Sequence, residues 1–150
     1  MNYNEYFNRF LSKYEITLDN QYIYDRNIDI LTEEGYEINI YAEKFLMSFG
    51  GIIVKGTGKH SKNSVQLQFN PVFFASGEYD RMEIYNHVTN DVLFPVGGLY
   101  DYTIFIGKKG QYYIADWQNL YLCGNTMDEF FENVFKDNVT FIELYSNDNL

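Results

Sequence analysis

The amino-acid sequence predicts an α+β fold: a single domain over residues 1–150 with a largely antiparallel central sheet flanked by helices. Apolar residues recur at helical spacing in the first third of the chain and again near its end. Between them lie short β-branched and aromatic runs joined by glycine-containing turns, which indicate local hairpins rather than parallel βαβ crossovers. Prolines are confined to Pro71 and Pro95, and no linker, repeat or low-complexity stretch divides the chain. A domain of 150 residues buries roughly 68–70% of its unfolded surface, so the core needs no staple. The single Cys123 could not supply a disulfide within the chain, and nothing here calls for an oxidising compartment.

The elements follow in order. Tyr3, Tyr6, Phe7, Phe10, Leu11 and Tyr14 form the apolar stripe of an amphipathic helix, with Asn2 and Glu5 placed to cap it. Tyr24, Ile28 and Leu31 carry the same period up to Gly35, a residue suited to a helix stop. Ala42, Phe45, Leu46 and Phe49 give a third stripe, and Gly50-Gly51 turns the chain into the β-branched run Ile52-Ile53-Val54. Val65, Leu67 and Phe69 alternate with Ser64, Gln66 and Gln68, a half-buried strand that pairs with residues 51–55 across a polar loop. Residues 78–89 are ambiguous: Tyr79, Met82, Tyr85 and Val88 suit a helix, whereas Met82, Ile84 and Val88 partly suit a strand. Residues 93–97 read as a short extended piece. Residues 102–106 and 111–115 flank Gly107-Lys108-Lys109-Gly110 as a hairpin. Thr126 and Glu129 have capping-box spacing and open a helix that buries Met127, Phe130, Phe131, Val134 and Phe135. Residues 141–145 add a last short strand.

Charge narrows the function. The net charge is −10 and the pI about 4.5, which disfavours nucleic acid, whose phosphates require Lys and Arg, and anionic membrane surfaces. It favours a basic protein partner. Residues 1–6 lack the basic and apolar regions of a secretion leader, and no apolar run approaches the ~18 residues of a membrane span. A cytoplasmic location is expected.

Motifs for catalysis and cofactors fail on inspection. The loop Gly56-Thr57-Gly58-Lys59-His60-Ser61 is not a phosphate loop: Ile53 and His60 stand where the motif needs Gly and Ser/Thr, and a strand follows where a helix N-terminus is required. His60 and His87 have no metal-ligand partners at suitable spacing, so neither metal nor cofactor is expected. Cys123 with His87 as its base has no local support as a nucleophilic pair. The carboxylates Glu33 and Glu34, Glu78 and Asp80, or Asp101 and Asp116 leave a small hydrolase as a minor alternative.

Asp25, Asp29, Glu33 and Glu37 are spaced four residues apart, and the first three share one face if residues 25–34 are helical. Glu78, Asp80, Glu83 and Asp91 form a second acidic group, with Tyr22, Tyr24, Tyr79 and Tyr85 among the charges. Carboxylates steer a basic partner and tyrosines anchor it. The candidate partner-binding set is therefore Asp25, Asp29, Glu33, Tyr79, Asp80 and Glu83.

The order of motifs also resembles a known family. These are Ala42-Glu43-Lys44-Phe45-Leu46-Met47-Ser48-Phe49-Gly50-Gly51, Phe69-Asn70-Pro71, Leu93-Phe94-Pro95-Val96-Gly97, the hairpin strand at Gly110-Gln111-Tyr112-Tyr113, and Leu122-Cys123-Gly124-Asn125-Thr126 opening the last helix. Together they resemble the third branch of the SUKH superfamily, bacterial immunity proteins, over residues from about 28 to 136. Asn70 replaces the usual Asp, and Gly98 stands where an acidic residue is common. The resemblance implies a central sheet with flanking helices and a helix at 78–89. It further implies a non-enzymatic cytoplasmic protein that binds and neutralises a cognate secreted toxin, often a nuclease or deaminase, with no catalytic residue to carry over. A regulatory scaffold of the same superfamily is the alternative.

Overall fold

The computed structural model describes residues 16–20, 28–57, 64–135 and 141–147. The helix expected from Tyr3 to Tyr14, residues Tyr22, Tyr24 and Asp25, and the loop residues 58–63 lie outside the described residues. Among the described residues eight strands form one sheet in sequential order, each antiparallel to the next. They are β1 (Ile16–Asn20), β2 (Ile52–Thr57), β3 (Ser64–Gln68), β4 (Leu93–Leu99), β5 (Tyr102–Gly107), β6 (Tyr112–Ala115), β7 (Asn119–Gly124) and β8 (Ile142–Ser146). The helices are α1 (Ile28–Glu34), α2 (Ile40–Phe49), α3 (Pro71–Ala75), α4 (Met82–Thr89) and α5 (Met127–Phe135), with a 3-10 turn at Tyr79–Arg81 running into α4. The expected α+β fold is thus observed, and the ambiguous stretch is helical from Tyr79 to Thr89.

The central strands are covered on both faces. Successive side chains of a strand point to opposite sides. Ile106 of β5 pairs with Tyr112 of β6, and Tyr112 packs against Phe45 of α2 and Phe130 of α5. Phe105 and Tyr113 pair on the other side, where Phe105 meets Tyr85 of α4. Every residue of β4 and β6 is therefore buried, and these strands read as continuous apolar runs instead of alternating ones. The core beneath α2 and α5 is aromatic: Phe45 meets Phe69 edge-on with centroids 5.0 Å apart, and Phe130 and Phe131 join the same cluster. Such pairs add roughly 0.5–1.5 kcal/mol beyond burial of area.

Polar caps fix the helices. Asn39 is buried; its Oδ1 accepts from the Ala42 amide and its Nδ2 donates to the Ile106 carbonyl, so one side chain starts α2 and pins it to β5. Asn90 ends α4 in the left-handed conformation. The Thr126 hydroxyl accepts from the Glu129 amide at the start of α5. The Pro95-Val96-Gly97 step is a bulge in β4, where Pro95 faces Phe105 and Gly97 faces Ile104. A proline is tolerated there because the ladder is already broken. Gly97 lies against the Gln68 carbonyl and the Phe69 backbone, leaving no room for a Cβ.

Three elements depart from the sequence reading. Residues 16–20 form a strand on β2; residues 119–124 form β7 before the α5 cap; and Pro71, at the first position of α3, starts a helix where only a step was expected. Asp91 also departs. It is buried, and its carboxylate accepts from the amides of Val92, Lys108 and Lys109, so it holds the β5–β6 turn and is not part of an acidic face.

Candidate functional site

Asp29 and Glu33 are both exposed and lie one turn apart on α1. Asp80 is exposed in the 3-10 turn, and Glu83 is exposed in the first turn of α4. Three contacts join these segments. Glu34 accepts from the Gly77 amide at 2.9 Å and from the Ser76 hydroxyl at 3.0 Å. The Tyr36 hydroxyl donates to the Ala75 carbonyl at 2.8 Å. Tyr79 packs edge-on to Tyr36 at 5.0 Å and lies against Gly35, whose φ of +124° and lack of a Cβ permit the approach. The described members of the candidate set therefore sit on adjoining elements, although about 50 residues separate their ends in sequence. Asp25 lies outside the described residues.

Other members of the two acidic groups are occupied. Glu37 pairs with Lys108 at 2.8 Å, and Glu78 pairs with Arg81 at 2.8 Å. Tyr85 is not an exposed anchor: it is buried and donates to the Asp116 carbonyl at 2.6 Å. Burial pushes its phenol above the ordinary value. Asp116 caps the β6–β7 turn by accepting from the Gln118 and Asn119 amides. With Glu34, Glu78 and Asp116 in these structural roles, each carboxylate pair of the hydrolase alternative has one member committed elsewhere. Cys123 is buried, which raises its thiol pKa strongly and keeps it protonated, whereas its supposed base His87 is exposed on α4. Among the described residues no group of three His, Cys, Asp or Glu side chains could hold a metal ion.

The structure also shows a site that the sequence reading missed. On the far side of the 3-10 turn a cleft of about 240 Å³ opens between Phe73 of α3 and Trp117 of the β6–β7 turn. Phe73 is 78% exposed and Trp117 is 66% exposed. The Arg81 guanidinium lies over the Trp117 ring and reaches Glu78, and Asp101 also lines the cleft. Among the described residues Arg81 Nε makes no hydrogen bond. Glu78, Asp101 and Arg81 are its charged lining residues, and the Tyr36 phenol in its wall is raised first by burial and then by Glu34 and Glu78, with Arg81 opposing. A larger recess of about 620 Å³ lies beside α2, with Phe45, Phe49 and Tyr112 in its wall and Lys44 and Lys109 among its lining residues.

The family model for the SUKH-3 immunity protein matches residues 14–137. No curated protein and no solved structure matches the chain. Among the described residues no helix is long and apolar enough to cross a membrane.

Proposed function

This chain belongs to the SUKH-3 immunity protein family, and we propose on that premise that it neutralises a basic toxin domain of nuclease type in the cytoplasm. The observation that carries the reading is the match over residues 14–137, most of the chain. Membership implies binding to a cognate toxin; the charge pattern supports the finer part. A nuclease surface is built to hold phosphates and is therefore basic. An acidic protein competes for that surface and occludes it. Asp29, Glu33, Asp80 and Glu83, all exposed on adjoining elements, would face the toxin, with Tyr79 among them as a partly exposed ring. Asp25, outside the described residues, is included in the proposed set on its sequence spacing from Asp29 alone. Inhibition here requires no chemistry, only occupation of the surface with slow release.

The test is co-expression. The toxin domain encoded beside this chain's gene is induced in a bacterial host with and without this chain. Protection of growth, together with a complex whose association slows as salt rises, is the expected result. Absence of protection against that toxin would refute the immunity reading. Protection with salt-independent association would leave the immunity role standing and remove the basic-surface part.

A further inference from the structure

We propose that the cleft between Phe73 and Trp117 is the anchor pocket of the toxin-binding surface and takes a single cationic side chain, a lysine or arginine, of the toxin domain. The inference rests on the immunity reading and names the part of the surface that retains the partner.

Phe73 and Trp117 leave 78% and 66% of their surface in water, while the neighbouring Ala75, Phe105 and Tyr85 are buried. Large aromatics and arginine around a recess are the residue types that dominate binding energy at interfaces. The cleft volume of about 240 Å³ is below the roughly 300–1,000 Å³ of small-molecule sites. It suits one long side chain rather than a cofactor or a folded segment.

Sign selects the side chain. Glu78 and Asp101 line the cleft against one cation, Arg81, which is already paired with Glu78. Asp101 is exposed and remains as the counter-charge for an incoming cation. The Trp117 ring carries the Arg81 guanidinium and is itself 66% exposed, so part of its surface is available to a second cation. The chain as a whole, at −10, repels an acidic segment. An entering cation would complete a stack in which aromatic faces and the Asp101 carboxylate replace its water.

Trp117 is the single tryptophan of the chain, so its fluorescence reports on this cleft alone. The purified chain is titrated at low salt with an acetylated Gly-Arg-Gly-Arg-Gly amide and with the Glu counterpart. A saturable change with the arginine peptide, absent with the glutamate peptide and weakened about threefold or more by Asp101→Asn and by Phe73→Ala, is the expected result. No change, an equal response to the acidic peptide, or unaltered affinity in both variants would overturn the proposal. In a second arm the toxin domain against which the wild-type chain protects is used. Phe73→Ala and Asp101→Asn should each raise the dissociation rate about tenfold or more. Both side chains are exposed, so the variants should keep the wild-type melting temperature. Unchanged dissociation from a toxin that the wild type does bind would overturn the cleft assignment alone. Failure of the wild type to protect would instead strike the immunity reading. A concentration-dependent homodimer abolished by Phe73→Ala would make a second copy the occupant and overturn the proposal.

Discussion

Replacing Asp91 by alanine should cost the fold about 2–4 kcal/mol, though nothing in the local sequence distinguishes it from a surface carboxylate. Its side chain accepts from the Val92 amide at 2.7 Å, the Lys108 amide at 3.0 Å and the Lys109 amide at 3.2 Å. Each hydrogen bond to a charged group contributes about 1.5–3 kcal/mol, but the three share one acceptor and do not add. The Lys108 amide keeps the Val92 carbonyl at 3.2 Å, and Lys108 and Lys109 are exposed, so water can serve their amides. The net loss is therefore well below the sum of three bonds. A chain of this size loses roughly 2–4 °C of melting temperature per kcal/mol, so Asp91→Ala should melt about 4–16 °C below wild type. Asp91→Asn keeps one carbonyl oxygen for Val92 and Lys108 and should lie about midway. Thermal unfolding followed by circular dichroism, with a urea midpoint that falls at constant slope, is the assay. If Asp91→Ala melts within about 2 °C of wild type, the carboxylate is not the anchor of the β5–β6 turn and returns to the acidic face.

Gly98 lies against the Phe74 ring with no space for a Cβ, so Gly98→Ala should cost about 1–3 kcal/mol by overpacking in urea unfolding; a wild-type midpoint would contradict it. Converting Asp29, Glu33, Asp80 and Glu83 to their amides should slow toxin association about tenfold at low salt and flatten its salt dependence. Stopped-flow rates check this, and equal salt slopes would discard the face. Cys123, Tyr36 and Tyr112 all have pKa values raised by burial above their ordinary 9.0, 10.0 and 10.0. The folded state then holds protons that the unfolded state releases, so stability is full below about pH 9 and falls as pH rises through and beyond 10. Urea midpoints unchanged between about pH 8 and 11 would contradict this burial.

The sequence shows the helices best where one face is apolar and a cap is present, as with Asn39 before Ala42 and Thr126 before Glu129. Hairpins are legible where a glycine turn separates two apolar runs, as at residues 107–110. Strand β7 is hidden because Leu120, Tyr121, Leu122 and Cys123 give no alternation; both faces meet protein along part of its length. Helix α3 is hidden by its five residues, too few to display a period. The acidic stripe is partly legible because i, i+4 spacing is local, but the occupation of Glu37 by Lys108 and of Glu78 by Arg81 is not readable from spacing alone. The cleft is not legible at all. Phe73 and Phe74 are adjacent in sequence, and only the tertiary placement leaves Phe73 in water while Phe74 covers Gly98.

The 3-10 turn joins attraction and retention in one place. Tyr79 faces the end of α1, while Glu78 and Arg81 face the cleft. Three residues of 3-10 helix rise about 6 Å, less than the screening length of about 8 Å at physiological salt. Tyr79 and Arg81, at the two ends of the turn, therefore lie within one screening length of each other. The two contributions separate by salt rather than by distance. Screening weakens the long-range attraction that sets the association rate, but it acts far less on a cation desolvated between Phe73 and Trp117. In the proposed complex, raising salt should lower the association rate steeply and change the dissociation rate little, while Phe73→Ala should do the reverse. If salt and Phe73→Ala move the same rate constant, one surface performs both tasks and the division between face and cleft does not exist.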